Sequence, residues 1–220
     1  MKYYPVFLDV SNRQCLVVGG GSVGTRKVKS LVECGARVTV VALSATAELE
    51  RMAADGIIRL VKRAYAAADM NGVFLTFGAT SDMTVNDRVR RDAESHNILC
   101  NIADYPAGCN FILPSVVQRG DLQIAVSTSG KSPAFARALR KELEGRYGKE
   151  YDDFLRLMGM IRENLLAAAH EPEAHKPLFE RLIASSLPEL IRQRRRDEID
   201  RVLIETLGPG FSSRDLGFDW

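Results

Sequence analysis

Residues 13–28 read RQCLVVGGGSVGTRKV, a short apolar run that leads directly into a glycine-rich turn. The apolar run at residues 13–19 predicts a strand that is buried on both faces of a sheet. Gly19, Gly21 and Gly24 then match the spacing G-x-G-x-x-G. In that motif the first glycine permits a tight turn, the second lets the backbone approach a pyrophosphate, and the third lets helix and strand pack closely.

The chain beyond this turn completes a unit of β-strand, α-helix and β-strand. Val28, Leu31 and Val32 lie at helical spacing, and Gly35 is placed to end the helix. Residues 37–43 (RVTVVAL) form the next apolar run. Because the free N–H groups of a helix N-terminus attract anions, this context predicts a dinucleotide site. The alternative is a tight turn that binds no ligand.

Strands and helices continue to alternate through the first half of the chain. Further strands are predicted at residues 57–62, 73–78 and 98–102, and a helix with Val85 and Val89 on one face precedes the last of them. This order predicts an α/β fold, a Rossmann-type doubly wound parallel sheet, whose ligands bind at the carboxyl ends of the strands.

The second half of the chain has a different pattern. Residues 111–118 and 121–128 predict a β-hairpin with its turn at Arg119-Gly120, and Ser132-Pro133 predicts the start of a helix. A two-stranded hairpin is marginal alone, so we expect this region to join two copies in a homodimer. From residue 151 onward the pattern is helical. Its breaks are expected near Pro172, Pro177, Pro188 and Gly208.

Apolar residues stripe both helical regions. They are Phe135, Leu139 and Leu143 in the first region, and Phe154, Leu157, Met158, Ile161 and Leu165 in the second. We therefore divide the chain into three parts. Residues 1–110 form an NAD-binding Rossmann domain, residues 111–148 a dimerisation segment of hairpin and helix, and residues 149–220 a helical domain.

Composition and charge exclude several classes of function. The 220 residues carry a formal net charge of +2, without the basic excess of a nucleic-acid-binding protein. No run approaches the ~20 apolar residues that span a bilayer, and the N-terminus lacks the pattern of a signal peptide. We therefore predict a cytoplasmic protein with neither a nucleic-acid nor a membrane partner.

The cysteines and histidines form no recognisable metal-binding pattern. The three histidines are scattered, and no C-x-x-C pair occurs. Cys15, Cys34 and Cys100 are expected to be small buried hydrophobes, whereas Cys109 lies in a loop. We predict neither a disulfide between Cys100 and Cys109 nor a metal ion held by protein ligands.

One acid follows the last strand of the predicted sheet. Asp104 lies two positions after the strand at residues 98–102, and residues 79–82 follow a neighbouring strand, so both segments are expected at the crevice that holds the cofactor. Asp104 is therefore a candidate catalytic group. The alternative is a loop acid that hydrogen-bonds its own backbone in a turn before Pro106.

The end of the second strand lacks the acid that usually binds the ribose 2′-OH of NAD. Leu43 and Ser44 stand at this place, and no arginine stands there to hold the 2′-phosphate of NADP. The sequence therefore favours NAD over NADP as the cofactor.

Taken together, these motifs resemble the precorrin-2 dehydrogenase family, the dehydrogenase–ferrochelatase module of sirohaem synthase. The resemblance is carried by PVFLDVSNRQCLVVGGGSVGTRKV, GATSDMTVN, CNIADYPAGCNFILPS and STSGKSPAFARALR, which follow the family's order and spacing across roughly residues 4–145. No methyltransferase domain follows, so the chain looks like a stand-alone form of the module.

The resemblance implies NAD-dependent oxidation of precorrin-2 to sirohydrochlorin by a homodimer, and some members also insert ferrous iron into the product. The family's catalytic aspartate corresponds to Asp104. Its cofactor contacts, besides the glycines, correspond to Ser22, Val23, Leu43, Ser44, Thr80, Asn101, Ile102 and Ala103. The four nitrogens of the macrocycle would hold the iron, so no cluster of protein ligands is required.

A tetrapyrrole of this kind carries several acetate and propionate groups, which basic residues should bind. Lys131, Arg137 and Arg140 are the candidates, because residues 131–149 hold six basic side chains against two acidic ones. The alternative is an ordinary solvated helix face, on which charges contribute little.

Two other functions fit a nicotinamide-binding domain. A generic dehydrogenase of the short-chain type is disfavoured, because none of the six tyrosines has a lysine four positions later. A non-catalytic NAD(H)-sensing domain would need neither an acid at Asp104 nor a basic pocket for a tetrapyrrole. Turnover of precorrin-2 with NAD separates these interpretations.

Overall fold

The computed structural model describes residues 2–168 and 172–220 of the chain. It divides the chain into two compact units, Met1–Leu113 and Pro114–Trp220. Among the described residues, no helix is both long enough and apolar enough to cross a bilayer.

A five-stranded parallel sheet forms the centre of the first unit. Its strands are β1 (Gln14–Gly20), β2 (Arg37–Ala45), β3 (Arg59–Lys62), β4 (Leu75–Gly78) and β5 (Leu99–Ile102), in the spatial order β3-β2-β1-β4-β5. The connecting helices include α1 (Ser22–Glu33), α2 (Ala47–Ala54) and α3 (Met83–Ser95). The strand order reverses between β1 and β4, which is the place where doubly wound sheets bind ligands. The predicted Rossmann-type fold is confirmed.

Two hydrophobic cores lie on the two faces of this sheet. Alternate residues of β1 face opposite sides, so Cys15 and Val17 pack in one core while Leu16 and Val18 pack in the other. All four are at most 3% exposed. A strand that is apolar at every position is therefore needed here, and this is why the run after Arg13 predicted the sheet so directly.

Most predicted boundaries in the first unit differ from the observed ones by two residues or fewer. Helix α1 ends at Glu33, and Gly35 takes the positive φ of 75° that favours glycine after a helix. Cys34 caps this helix and is exposed, so its predicted burial is wrong. Burial fails because Cys34 lies past the last buried residue of the helix, Leu31.

The second unit begins with the predicted hairpin. Strands β6 (Ser115–Arg119) and β7 (Leu122–Val126) pair antiparallel. Arg119 pairs with Leu122, so the turn residues are Gly120 and Asp121 rather than Arg119-Gly120. Gly120 has a φ of 54°, which a two-residue hairpin turn requires.

Five helices complete the second unit: α4 (Pro133–Arg146), α5 (Glu150–Ala168), α6 (Pro172–Ile183), α7 (Leu187–Arg192) and α8 (Arg196–Leu207). Ser132 is confirmed as the N-cap of α4, since its Oγ accepts a hydrogen bond from Phe135 N at 3.2 Å. The predicted apolar face of α5 is confirmed as well, because all five of its residues are at most 9% exposed.

One expectation for the second unit is wrong. Pro177 lies inside α6 rather than at a break. A proline inside a helix costs about 3 kcal/mol, but Leu182 of α6 is fully buried and Phe179 packs beside it, which offsets this cost. In α4 Ala136 is buried, whereas Phe135 of the apolar stripe is 61% exposed.

Candidate functional site

The carboxyl ends of β1, β2, β4 and β5 border a cavity of about 690 Å³. All of its lining residues belong to the first unit. The predicted site residues among them are Gly19, Gly21, Ser22, Val23, Leu43, Ser44, Thr80, Ala103 and Asp104. The fold therefore brings segments that are far apart in the sequence to one edge of the sheet.

The three motif glycines differ in what a side chain would meet. Gly19 has a φ of 120°, and a Cβ there would lie 2.4 Å from Ala79 O. A Cβ on Gly24 would lie 2.1 Å from Gly19 O, which accounts for the close packing of α1 against β1. A Cβ on Gly21 would meet nothing within 4 Å. Gly21 therefore borders open space, as a backbone that approaches a ligand must.

The start of α1 provides an anion site next to that space. Gly21 is the N-cap residue, no side chain caps the helix, and no acid lies in its first turn. The first bond within the helix joins Thr25 N to Gly21 O at 2.9 Å, so the preceding N–H groups are free for a ligand. This arrangement fits a pyrophosphate.

Two threonines that the sequence reasoning missed hold this helix start in place. Thr25 Oγ1 lies 2.9 Å from Thr46 Oγ1 and donates to Gly21 O at 3.0 Å. Thr46 Oγ1 also accepts from Leu49 N at 3.3 Å and so caps α2. The link ties the glycine turn to the end of β2. Thr46 stands just before AELE, which is a readable N-cap signal.

A buried asparagine fixes the loop after β4. Asn86 is only 1% exposed and lines the cavity. Its Nδ2 donates to Thr80 O at 2.9 Å, and its Oδ1 accepts from Thr80 N at 3.4 Å. Thr80 is thereby held at the cavity wall. An asparagine on the inner side of an amphipathic helix was the signal that could have identified it.

Asp104 lines the cavity just after the end of β5. Ala103 N donates to Gly78 O at 2.8 Å, and Asp104 then adopts a φ of 58°, in the left-handed region. Its side chain is exposed. Within the described parts of the chain no group donates a hydrogen bond to this carboxylate, so the turn interaction before Pro106 is not formed.

Lys27 of α1 carries positive charge towards Asp104. Its Nζ lies 5.3 Å from the centre of the Phe77 ring. Burial, helped by the charge of Arg26, lowers the pKa of Lys27, while the negative charge of Asp104 opposes that shift. Lys27 therefore places a partly desolvated amine within electrostatic range of the Asp104 carboxylate.

Three predicted cofactor residues, Gly24, Asn101 and Ile102, do not line the cavity. Gly24 faces Gly19, as described above. Asn101 Nδ2 donates to Phe111 O at 3.1 Å, and Ile102 is 2% exposed. These two residues lie behind the cavity wall and shape the loop that presents Ala103 and Asp104.

The cysteines near this loop are free thiols. Burial raises the pKa of Cys100 to about 12, which makes its thiol unreactive. Cys109 Sγ accepts from Ile102 N at 3.2 Å, so it acts as part of the loop's hydrogen bonding.

An arginine borders the cavity where none was expected. Ala42 of β2 pairs with Lys62 of β3, and this register brings the next residue, Arg63, beside Leu43. Arg63 lines the cavity together with Leu43 and Ser44. No arginine stands at the end of β2 itself, and Arg63 follows the neighbouring strand, β3.

Comparisons with known proteins agree with this geometry. Residues 6–115 match a family model described as putative NAD(P)-binding, and residues 119–146 match one described as sirohaem biosynthesis protein central. A solved structure of SirC, a precorrin-2 dehydrogenase, superposes with a TM-score of 0.72 and 30% identity, over 88% of this chain and 96% of that one. The chain belongs to the precorrin-2 dehydrogenase family.

Sirohaem synthases are also similar to this chain. The enzyme of Methylococcus capsulatus is 39% identical over 205 residues, and that of Thioalkalivibrio sulfidiphilus is 36% identical over 217 residues. These matches cover 93% and 99% of this chain but 43% and 44% of the relatives. The chain therefore spans less than half the length of the curated relatives it matches. The match to the family model described as putative NAD(P)-binding and the similarity to a precorrin-2 dehydrogenase confirm the prediction of NAD as the cofactor.

The predicted substrate-binding residues lie in the second unit. Lys131 precedes α4, Arg137 is exposed on that helix, and Arg140 forms an ion pair with Glu144 one turn later. Among residues 2–168 and 172–220, no three His, Cys, Asp or Glu side chains gather in a way that could hold a metal ion.

Proposed function

We propose that this chain oxidises precorrin-2 to sirohydrochlorin and that NAD accepts the hydride. The observation that carries the proposal is the arrangement of one cavity wall. The glycine turn after β1 and the acid after β5 border the same cavity, although about 80 residues separate them in the sequence. Membership of the precorrin-2 dehydrogenase family supports the choice of substrate.

Different residues around the cavity bind different parts of the cofactor. The free N–H groups at Ser22 and Val23 bind the pyrophosphate, because they lie at an uncapped helix start. Leu43 and Ser44, at the end of β2, contact the adenosine half. Thr80 and Ala103, at the ends of β4 and β5, border the nicotinamide half. NAD, when bound, supplies an acceptor for hydride.

Asp104 handles the proton in this proposal. Loss of hydride from a carbon of the macrocycle is accompanied by loss of a proton, which a positioned carboxylate accepts as a general base. The Asp104 carboxylate suits this role because no hydrogen bond within the described residues occupies it. Lys27 places positive charge within electrostatic range of this carboxylate.

Further parts of the proposal concern partners and location. Lys131, Arg137 and Arg140 bind carboxylates of the substrate. The chain forms a homodimer through residues 111–148 in the cytoplasm. Support for the dimer comes from Val116 and Phe135, which are 40% and 61% exposed in the unit that holds the hairpin. Insertion of ferrous iron would use the same acid to take up pyrrole N–H protons.

Incubation of the protein with precorrin-2 and NAD tests the proposal. We expect NADH and sirohydrochlorin to form in equal amounts, which their absorbance measures. Tight NAD binding without turnover would instead favour the sensing domain. Turnover of simple alcohols but not of precorrin-2 would favour a generic dehydrogenase.

A further inference from the structure

The edge of the cavity at β2 and β3 has an unusual distribution of charge. The end of β2, where an acid usually binds the ribose 2′-OH, is occupied by Leu43, which is 79% exposed, and Ser44. The side chain that borders them is Arg63, a cation. An arginine at this place usually accommodates the 2′-phosphate of NADP. The edge by itself therefore resembles a site for NADP.

A second residue changes that conclusion. Arg63 Nη1 donates to Asp69 Oδ2 at 2.8 Å, and Arg63 Nη2 donates to Asp69 Oδ1 at 2.5 Å. Nη1 also donates to Ala64 O at 2.9 Å. The guanidinium thus directs both of its terminal nitrogens at protein acceptors, and its charge is neutralised where the 2′-phosphate would bind.

Asp69 is held firmly in this role. Its side chain is 11% exposed, and its Oδ2 accepts a further hydrogen bond from Ala66 N at 2.9 Å. Hydrogen bonds from Arg63 lower the pKa of Asp69, so the carboxylate is ionised at neutral pH. The pair uses three of the five guanidinium N–H groups, so a 2′-phosphate that reached the remaining ones would meet the negative charge of the adjacent, partly buried Asp69 carboxylate.

We infer that the Arg63–Asp69 pair sets the choice between the two dinucleotides, with Asp69 as the positioning residue that keeps Arg63 from binding the 2′-phosphate of NADP. In other NAD-binding Rossmann domains, an acid at the end of the second strand selects NAD over NADP. Here Asp69, which lies after β3, has that role. The inference rests on the proposed dinucleotide site and deepens it. It does not depend on the reaction that the site catalyses.

Calorimetric titration of the purified protein with NAD and with NADP tests this directly. We expect the wild type to bind NAD more tightly. Asp69→Asn keeps an acceptor for Ala66 N but releases Arg63, so the affinity ratio of NADP to NAD should rise about tenfold or more, the usual gain from one charge-assisted hydrogen bond. Asp69→Asn combined with Arg63→Met should lose that gain.

A matched control separates local from general charge effects. Glu50 pairs with Lys62, the neighbour of Arg63, at 2.6 Å, and neither residue lines the cavity. Glu50→Gln removes the same charge and should leave the ratio unchanged. Adenosine 2′,5′-bisphosphate and adenosine 5′-monophosphate should show the same shift as the full dinucleotides, because only the adenosine half is involved.

Three results would overturn the inference. The affinity ratio of NADP to NAD would stay constant in Asp69→Asn, or it would rise equally in Glu50→Gln. It could also remain high in the double variant Asp69→Asn, Arg63→Met. In each of these cases NAD would still bind, and the proposed function would stand. A wild-type protein that bound neither dinucleotide would contradict the proposed function and this inference together.

Discussion

The two units of the chain present their functional groups in opposite ways. In the first unit the cavity is bordered by the glycine turn and by the ends of the strands, whose positions the sheet fixes. In the second unit the candidate groups are long charged side chains on or beside α4, and one of them is already paired with Glu144.

This difference determines how strongly each unit depends on single residues. A site built from backbone has fixed geometry, since its N–H groups are positioned by a buried sheet and cannot be moved without moving the strand. Charges on a helix surface are screened by solvent and lie near other charges, so each contributes little to binding. We therefore expect substitution effects to fall steeply from the first unit to the second.

The largest effect is expected at Gly21. Gly21→Asp places a carboxylate next to the pyrophosphate, so NAD affinity should fall roughly a hundredfold or more, which corresponds to about 2.7 kcal/mol. The fold should survive, because a Cβ at Gly21 meets nothing within 4 Å. Titration with NAD and thermal unfolding measure the two quantities. Unchanged affinity in a folded variant would remove the glycine turn from the proposed site.

An intermediate effect is expected at Asn86. Asn86→Ala leaves the N–H and C=O of Thr80 without their buried partner, which should lower the free energy of unfolding by about 1–3 kcal/mol. NAD affinity should fall with it as Thr80 moves. Asn164→Ala is the control, because Asn164 is exposed and its Nδ2 donates to Met160 O of its own helix. Equal, small losses of stability in both variants would argue against a fixed Thr80 loop.

The smallest effect is expected in the second unit. Replacing Lys131 and Arg137 with glutamine should raise the KM for precorrin-2 a few-fold, more at low salt, and leave NAD affinity unchanged. Arg162 and Arg201 are exposed on other helices of this unit, and their replacement with glutamine serves as the charge-matched control. If the KM changed equally in the two double variants, or in neither of them, α4 would be an ordinary solvated helix face.

The sequence predicted the features that depend on local patterns and missed those that depend on contacts between distant residues. The glycine turn and the fold were predictable, because a doubly buried strand and a turn motif are local patterns. Arg63 was missed because its place depends on the register of β2 with β3, and Asn86 because its partner lies six residues away across a turn. The exposure of Phe135 could not be predicted, because helical spacing identifies an apolar stripe but not what covers it.

The central claim, that Asp104 serves chemistry while the glycine turn serves binding, is tested most directly by Asp104→Asn. This variant keeps the shape of the side chain and removes the base. We predict that precorrin-2 oxidation slows by ~10²–10⁴-fold, the usual loss of general base catalysis, while NAD binds as tightly as in the wild type. Full activity in Asp104→Asn would contradict the account.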